Sequence, residues 1–329
     1  MKKNVAIVAG GDSSEIVVSM KSAEGLYSFI DRGKYNTYIV TIKGKEWFVH
    51  LPNGEEAEID KNDFSFVEGY TIRHFHFAYI TIHGTPGEDG KLQGYFDLVG
   101  IPYSTCGTLA SALTFNKYVC NNYLKGFGVN ISPSIRVLFG EQVDADKIVN
   151  ELGLPVFVKP NVGGSSFGVS KVKRKEDLLS AVEKAFKEGN EVMIEKFMQG
   201  TEITCGCYKT PKKSVVFPIT EVVSENEFFD YDAKYNNQVK EITPARLSEN
   251  LTRQVQSLTA RIYDIIGAKG IIRIDYIITE RDVINLLEIN TTPGMTATSF
   301  IPQQVAAAGM NISDVMDDII ENELQSTQS

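Results

Sequence analysis

The stretch "VFVKPNVGGSSFGVSKVKR", residues 156–174, starts as an apolar strand ending in Lys159-Pro160 and then gives five of its next eight residues to Gly and Ser. Those are ordinary turn residues, so the loop alone reads equally well as a plain β-turn or as a flexible hairpin flap between two strands. Backbone N–H groups exposed by a Gly-rich loop can hold phosphate, but the P-loop form needs Gly-Lys-Ser/Thr and a helix directly after it. Neither follows here.

The rest of the chain decides between the readings. In "GIIRIDYIIT" (270–279) Arg273 and Asp275 lie two apart, and in "VINLLEINTTPG" (283–294) so do Glu288 and Asn290. Residues two apart on a strand share a face. Asp275, Glu288 and Asn290 therefore offer converging oxygens of the kind Mg²⁺ accepts beside waters and substrate phosphates. A solvated strand face would explain one exposed pair, but it suits less well a Glu and an Asn embedded in apolar strands. With Lys117 and Lys159 near element ends, the set reads as a nucleotide-plus-metal site assembled from distant segments.

Length and composition agree with that reading. A chain of 329 residues exceeds one typical domain, so two or three domains are expected. Its 43% hydrophobic and 23% charged residues suit packed cores rather than disorder. A net charge of −9 argues against a broad nucleic-acid footprint, which needs clustered excess Lys and Arg. The start "MKKNVAIVAGG" has too short an apolar run for a signal h-region and reads as a first strand. With no window long and apolar enough to span a bilayer, a soluble cytoplasmic protein is expected, with no membrane or nucleic-acid partner. Cys106, Cys120, Cys205 and Cys207 have neither disulfide-framework nor zinc-ribbon spacing and read as buried structural thiols.

Along the first third, strands "NVAIVAGG", "NTYIVTI" and "FAYITIHG" alternate with helical "SMKSAEGLYSFI" and "KLQGYFDLVG", which predicts a Rossmann-like parallel sheet. Gly10-Gly11-Asp12-Ser13-Ser14-Glu15 lacks the third glycine of a dinucleotide fingerprint, so the layout stands without the NAD reading. A helix over "STCGTLASALTFNKYVCNNYLKGFG", the Gly/Ser hairpin, a helix over "EDLLSAVEKAFKEG" and the strand "VMIEKFM" form a second unit. A third unit holds strands "TEITCGCYK" and "SVVFPITEV", a long polar segment, a helix over 248–266 and the two closing strands. The expected divisions are 1–105, 106–199 and 200–329.

Eight segments in order then carry a family resemblance: "VAGGDSSEIVVS", "IHGTPGEDGKLQG", "GIPYSTCGTLASALTFNK", "VKPNVGGSSFGVSKV", "IEKFMQGTEIT", "FFDYDAKY", "GIIRIDYI" and "LLEINTTPGMTATSFIP". From Val5 to about Met316 the chain resembles the D-alanine–D-alanine ligases of the ATP-grasp superfamily. That resemblance implies an α/β, three-domain ATP-grasp fold and the ATP-dependent joining of two D-alanines through a D-alanyl phosphate, for peptidoglycan synthesis. It implies two Mg²⁺ or Mn²⁺ ions on Asp275, Glu288 and Asn290, and a homodimer.

The implied residue roles follow the same segments. Lys117, Lys159, Ser165 and Ser166 would serve the nucleotide phosphates, Lys234 would reach the γ-phosphate, and Glu195, Lys196 and Met198 would line the adenine pocket with Glu202 on the ribose. Glu15, with His83 nearby, would take the ammonium of the first D-alanine. Arg273 and the Gly294 N–H would stabilise the tetrahedral oxyanion, and Ser299 would hold the second D-alanine's carboxylate beside Phe300. Tyr235, in a polar lid over 224–246, would link to Ser165 and Glu15. Three departures from common family patterns stand out: Ile16-Val17 in place of a charged pair, Phe229 where Tyr is usual, and Phe300 where Leu is usual. A D-alanine–D-lactate ligase is the nearest alternative. From another class, a non-catalytic nucleotide-binding protein would not need the full set of metal oxygens, Lys and Arg.

Overall fold

The computed structural model describes residues 2–164, 167–224 and 239–326, and its strands form three sheets. The first contains β1 (Lys3–Gly10), β2 (Tyr35–Lys43), β3 (Glu46–His50), β4 (Glu56–Asp60), β5 (Ser65–Glu68), β6 (Thr71–His74) and β7 (Phe77–Ile80), in the order β6-β5-β4-β3-β2-β1-β7. Central β1 is parallel to both β2 and β7, as the alternating pattern predicts. From β2 outward the pairing is antiparallel, so the sheet is mixed. The meander 46–74 shows little apolar patterning because each short strand contributes few inward residues, such as Val49, Ile59 and Phe66.

The second sheet holds β8 (Ser134–Leu138), β9 (Val156–Pro160), β10 (Ser170–Val172) and β11 (Glu191–Lys196), in the order β10-β9-β11-β8. β9 and β10 pair antiparallel, so the Gly/Ser stretch connects the two strands of a hairpin. Val156, Val158, Val172, Val192 and Ile194 pack under the helix Leu178–Ala185 as a separate small core. The third sheet contains β12 (Thr201–Thr210), β13 (Lys213–Val216), β14 (Thr220–Ser224), β15 (Val239–Ile242), β16 (Ile272–Thr279) and β17 (Val283–Asn290), in the order β15-β14-β12-β16-β17 with β13 beside β12.

One face of the third sheet is closed by the helix Glu249–Ile265, whose Leu251, Val255, Thr259 and Ile262 recur at helical spacing and are buried. Ser248 caps its start, accepting a hydrogen bond from the Leu251 N–H at 3.3 Å. On β16, Ile272, Ile274, Tyr276 and Ile278 are buried while Arg273, Asp275 and Ile277 are partly exposed, so period-two alternation sends the core and the polar groups to opposite faces. The first and third sheets also share a core: Val5, Ile7, Phe77 and Tyr79 join Tyr208, Phe217, Met295 and the helices Phe300–Ala307 and Ile312–Ser326.

The helical stretch expected over 104–128 divides into Thr108–Phe115 and Lys117–Lys125. Asn116 between them has extended backbone (φ −89°, ψ 97°) and caps the second helix through the Val119 N–H, which places Lys117 at a helix start. Asn161, fully buried after β9, ties this start to the second sheet. Its carbonyl accepts from the Lys117 N–H at 3.0 Å and its side-chain oxygen from the Tyr118 N–H at 2.8 Å. Its amide nitrogen donates to Asn116 at 2.8 Å and to Glu191 at 2.6 Å.

Removing this side chain takes a partner from the Tyr118 N–H, Asn116 and Glu191, and a polar group left unsatisfied costs about 1–3 kcal/mol. Asn161→Ala is expected to lower stability in urea unfolding by roughly 3 kcal/mol; a loss below about 1 kcal/mol would show that water replaces the amide.

Candidate active site

A cleft of about 1070 Å³ opens where the second sheet and its hairpin face the third sheet and the loops after β1 and β7. It is lined by Glu15, Lys117, Lys159, Glu195, Lys196, Met198, Glu202, Arg273, Asp275, Glu288 and Phe300, so most of the candidates from distant segments meet there. His83, Asn290, Gly294 and Ser299 are not among the residues that line it. Ser165, Ser166, Phe229, Lys234 and Tyr235 fall outside the described residues, as do residues 225–238 of the expected lid, while its last part is described and carries β15 and Arg246.

On the cleft floor, Asp275 of β16 is paired directly with Glu288 of β17, and Arg273 with Asn290. Directly opposite residues hold their Cβ atoms about 5 Å apart on one face. Asp275 accepts hydrogen bonds from Arg273 Nε and Nη2 at 2.9 and 2.8 Å, from Thr204 Oγ1 at 2.6 Å and from Asn290 Nδ2 at 3.1 Å. Lys117 Nζ stands 3.5 Å from Glu288 Oε2 and also donates to the Gly163 carbonyl, joining the metal-type carboxylates to the Gly/Ser loop. Burial of Arg273 disfavours its charge, but the Asp275 carboxylate, then Glu288 and Glu88, more than restores it and raises its pKa. The guanidinium lies 5.2 Å from the Phe300 ring centroid, within cation–π range. Nη1 of Arg273 has no hydrogen-bond partner among the described residues.

The second sheet supplies the opposite wall. Lys159 Nζ and Glu195 Oε1 are 2.6 Å apart and both side chains are nearly buried, so each fixes the other at the cleft edge. Both backbone groups of Lys196 are engaged: its N–H donates to the Pro133 carbonyl at 2.9 Å and its carbonyl accepts from Ser132 at 2.6 Å. Met198, further along this edge, has no such backbone partner among the described residues. Lys171 and Lys187 also border the cleft, giving this wall cations in an acidic protein.

Glu15 is buried at the start of the helix Ile16–Phe29, in the loop that β1 feeds. A Cβ on Gly164 would come within 3.0 and 3.2 Å of the two Glu15 carboxylate oxygens, so the Gly/Ser loop reaches the carboxylate because that position has no side chain. Sequence reasoning passed over Glu88, although it lies inside the quoted "IHGTPGEDG". Glu88 accepts from the Gly84 N–H at 2.7 Å. It lies in the loop after β7, and burial of its carboxyl, followed by the charge of Glu15, pushes that group up to about 8. Glu221 was passed over as well; Arg246 grips it through Nε at 2.9 Å and Nη2 at 2.6 Å and lowers its pKa. Neither residue carried a spacing signal, because the charges that act on Glu88 come from Glu15, Lys117 and Glu288 and the partner of Glu221 is Arg246.

The donor set suits a hard divalent cation. Asp275 and Glu288 face each other as like charges, which is unfavourable without an intervening positive charge, and the amide nitrogen of Asn290 is turned to Asp275, leaving its oxygen as the ligating atom. Among the described residues no group of three or more His, Cys, Asp or Glu is placed to hold a metal ion, and the oxygen beside the two carboxylates is that of the Asn290 amide.

Comparison with known proteins supplies the family. A family model described as D-ala D-ala ligase N-terminus matches residues 4–106, and one described as D-ala D-ala ligase C-terminus matches residues 123–321. The chain is 67% identical to a D-alanine–D-alanine ligase of Bacteroides fragilis over 98% of this chain and 99% of that one. It is 67% identical to one of Parabacteroides distasonis over the whole of both chains. Among solved structures, the VanG D-Ala:D-Ser ligase from Enterococcus faecalis superposes with TM-score 0.86 at 29% identity, covering 98% of this chain and 100% of that one. The Bacillus anthracis D-alanine–D-alanine ligase complexed with ATP superposes with TM-score 0.79 at 29% identity, covering 99% of each.

A raised carboxyl binds its proton more tightly folded than unfolded, so Glu88 costs stability as pH rises from its ordinary value near 4.5 through about 8. Glu88→Gln is expected to match the unmodified protein in melting temperature near pH 5 and to exceed it near pH 9. Parallel curves across that range would show that Glu88 titrates normally.

Proposed function

The chain belongs to the D-alanine–D-alanine ligase family, and we propose that its cleft joins two D-alanines at the expense of ATP with the division of labour set out below. The reaction is that of an ATP-dependent ligase serving peptidoglycan precursor synthesis. Its 67% identical relatives named for the amide product favour D-alanyl-D-alanine over the D-alanyl-D-lactate alternative. The observation that carries the site assignment is the Asp275–Glu288 pair, directly opposed beneath Arg273 and Lys117.

In the first step a carboxylate oxygen of one D-alanine bonds to the γ-phosphorus, and the bond to ADP breaks. Lys117 and Lys159 hold the phosphates, with Ser165, Ser166 and Lys234 from segments outside the described residues. Glu195, Lys196 and Met198 flank the adenine, and Glu202 accepts from the ribose hydroxyls. Asp275, Glu288 and Asn290 would hold Mg²⁺ or Mn²⁺, expected as two ions, whose charge would offset that of the ATP phosphates.

In the second step the amine of the other D-alanine bonds to the acyl carbon, loses a proton, and phosphate leaves with the former carboxylate oxygen. Glu15, backed by His83, binds the first ammonium. Nη1 of Arg273 and the Gly294 N–H receive the developing oxyanion. Ser299 and Phe300 contact the second D-alanine, and Tyr235 connects the lid to Ser165 and Glu15. No covalent enzyme intermediate is needed, so positioning and electrostatics supply the rate.

We further propose that the functional units divide near residues 105 and 199, and that the protein acts as a cytoplasmic homodimer. Among the described residues no helix is long and apolar enough to cross a membrane.

Phosphate release by the purified protein is expected to require ATP, D-alanine and a divalent ion. Equal turnover with L-alanine, or full activity in excess chelator, would refute the assignment. Glu288→Gln should lower kcat by at least about a hundredfold while its ligand-free melting temperature stays close to that of the unmodified protein. A melting-temperature loss that tracks the lost activity would indicate a structural carboxylate instead.

A further inference from the structure

We propose that Ser22 is a positioning residue that couples the His83 imidazole to the loop bearing the Gly294 N–H. Ser22 is fully buried on the inner face of the helix Ile16–Phe29, the helix that Glu15 begins. Its hydroxyl oxygen accepts from the Met295 N–H at 3.3 Å and lies 3.4 Å from His83 Nε2. One side chain thus touches the residue beside the first-substrate ammonium and the residue directly after the oxyanion donor.

The chemistry of the contacts gives them a direction. Ser19, one turn earlier, accepts from the Gly10 N–H at 3.0 Å and donates to the Thr81 carbonyl at 2.8 Å, so its proton belongs to the backbone. Among the described residues Ser22 has no carbonyl partner. A buried hydroxyl must still donate its hydrogen, and with Met295 acting as donor the acceptor is Nε2. His83 is thereby held with Nε2 unprotonated and its proton on Nδ1.

Gly25, at the next position along this face, keeps the loop in place. A Cβ there would lie 2.0 Å from the Met295 carbonyl oxygen, so helix and loop pack backbone to backbone. The same loop then folds onto Ser299, which accepts from the Thr296 N–H at 3.0 Å. Both proposed substrate positions are therefore referenced to one helix face.

This inference rests on the ligase reading, and its test separates the two. The unmodified protein is first assayed for dipeptide; if none forms, the ligase reading fails, while the spectroscopic arm below remains interpretable. Nitrogen NMR of the unmodified protein, with the His83 resonances identified by their loss in His83→Gln, should show Nε2 unprotonated. An Nε2–H ring overturns the proposal.

Ser22→Ala should lower kcat roughly tenfold or more, leave the KM for ATP unchanged, and shift the tautomer signal of His83. Ser22→Thr keeps the hydroxyl and should recover most of the rate. Gly25→Ala, which displaces the loop without touching His83, should lower kcat and, through Ser22, move the imidazole signal as well. A folded Ser22→Ala protein with normal kcat, or with an unmoved imidazole signal, refutes the coupling. Should Ser22→Ala fail to fold, the spectrum of the unmodified protein decides.

Discussion

Two carboxylates set directly opposite each other on neighbouring strands repel, and an arrangement that keeps Asp275 against Glu288 must hold positive charge between or beside them. Arg273 from the same strand and Lys117 from a helix start meet that requirement here. The rest of the cleft follows from it. Arg273, which lines the cleft, is pulled down onto Asp275, and that contact keeps it charged despite burial. Lys117 can reach Glu288 because Asn116 breaks the helix before it and Asn161 clamps the break to the second sheet.

The packing explains how segments so far apart keep a common geometry. The first and third sheets share one apolar cluster, in which strands β1 and β7 meet Met295 and the two closing helices. The loops after β1 and β7, which carry Glu15 and His83, are thus referenced to the loop carrying Gly294. The second sheet, with its Gly/Ser hairpin, has its own smaller core and meets the site through polar contacts at Asn161, Lys117 and Gly164. That division suits a nucleotide site, in which one wall is rigid with the chemistry and the other can adjust to the phosphates.

Several readings depended on local chemistry and were legible in the chain. Period-two spacing put Arg273 with Asp275, and Glu288 with Asn290, on single strand faces, and the turn residues of 161–168 implied the hairpin. Other features left no local trace. The antiparallel extension of the first sheet comes from strands too short to show a pattern. The backbone of Lys196 is occupied by Ser132 and Pro133, which no reading of "VMIEKFM" could reveal.

What the sequence by itself determined is the set of residue types and their local facing, because alternation, capping and turn chemistry act over a few neighbours. It also carried the order of motifs that marks the family. Only the tertiary structure decided who meets whom: Asp275 with Glu288 in register, Gly164 against Glu15, the charge of Glu15 near Glu88, and Ser22 between His83 and Met295. The reason is physical. Such pairings are set by long-range packing and by the need of buried polar groups for partners, and neither depends on distance along the chain.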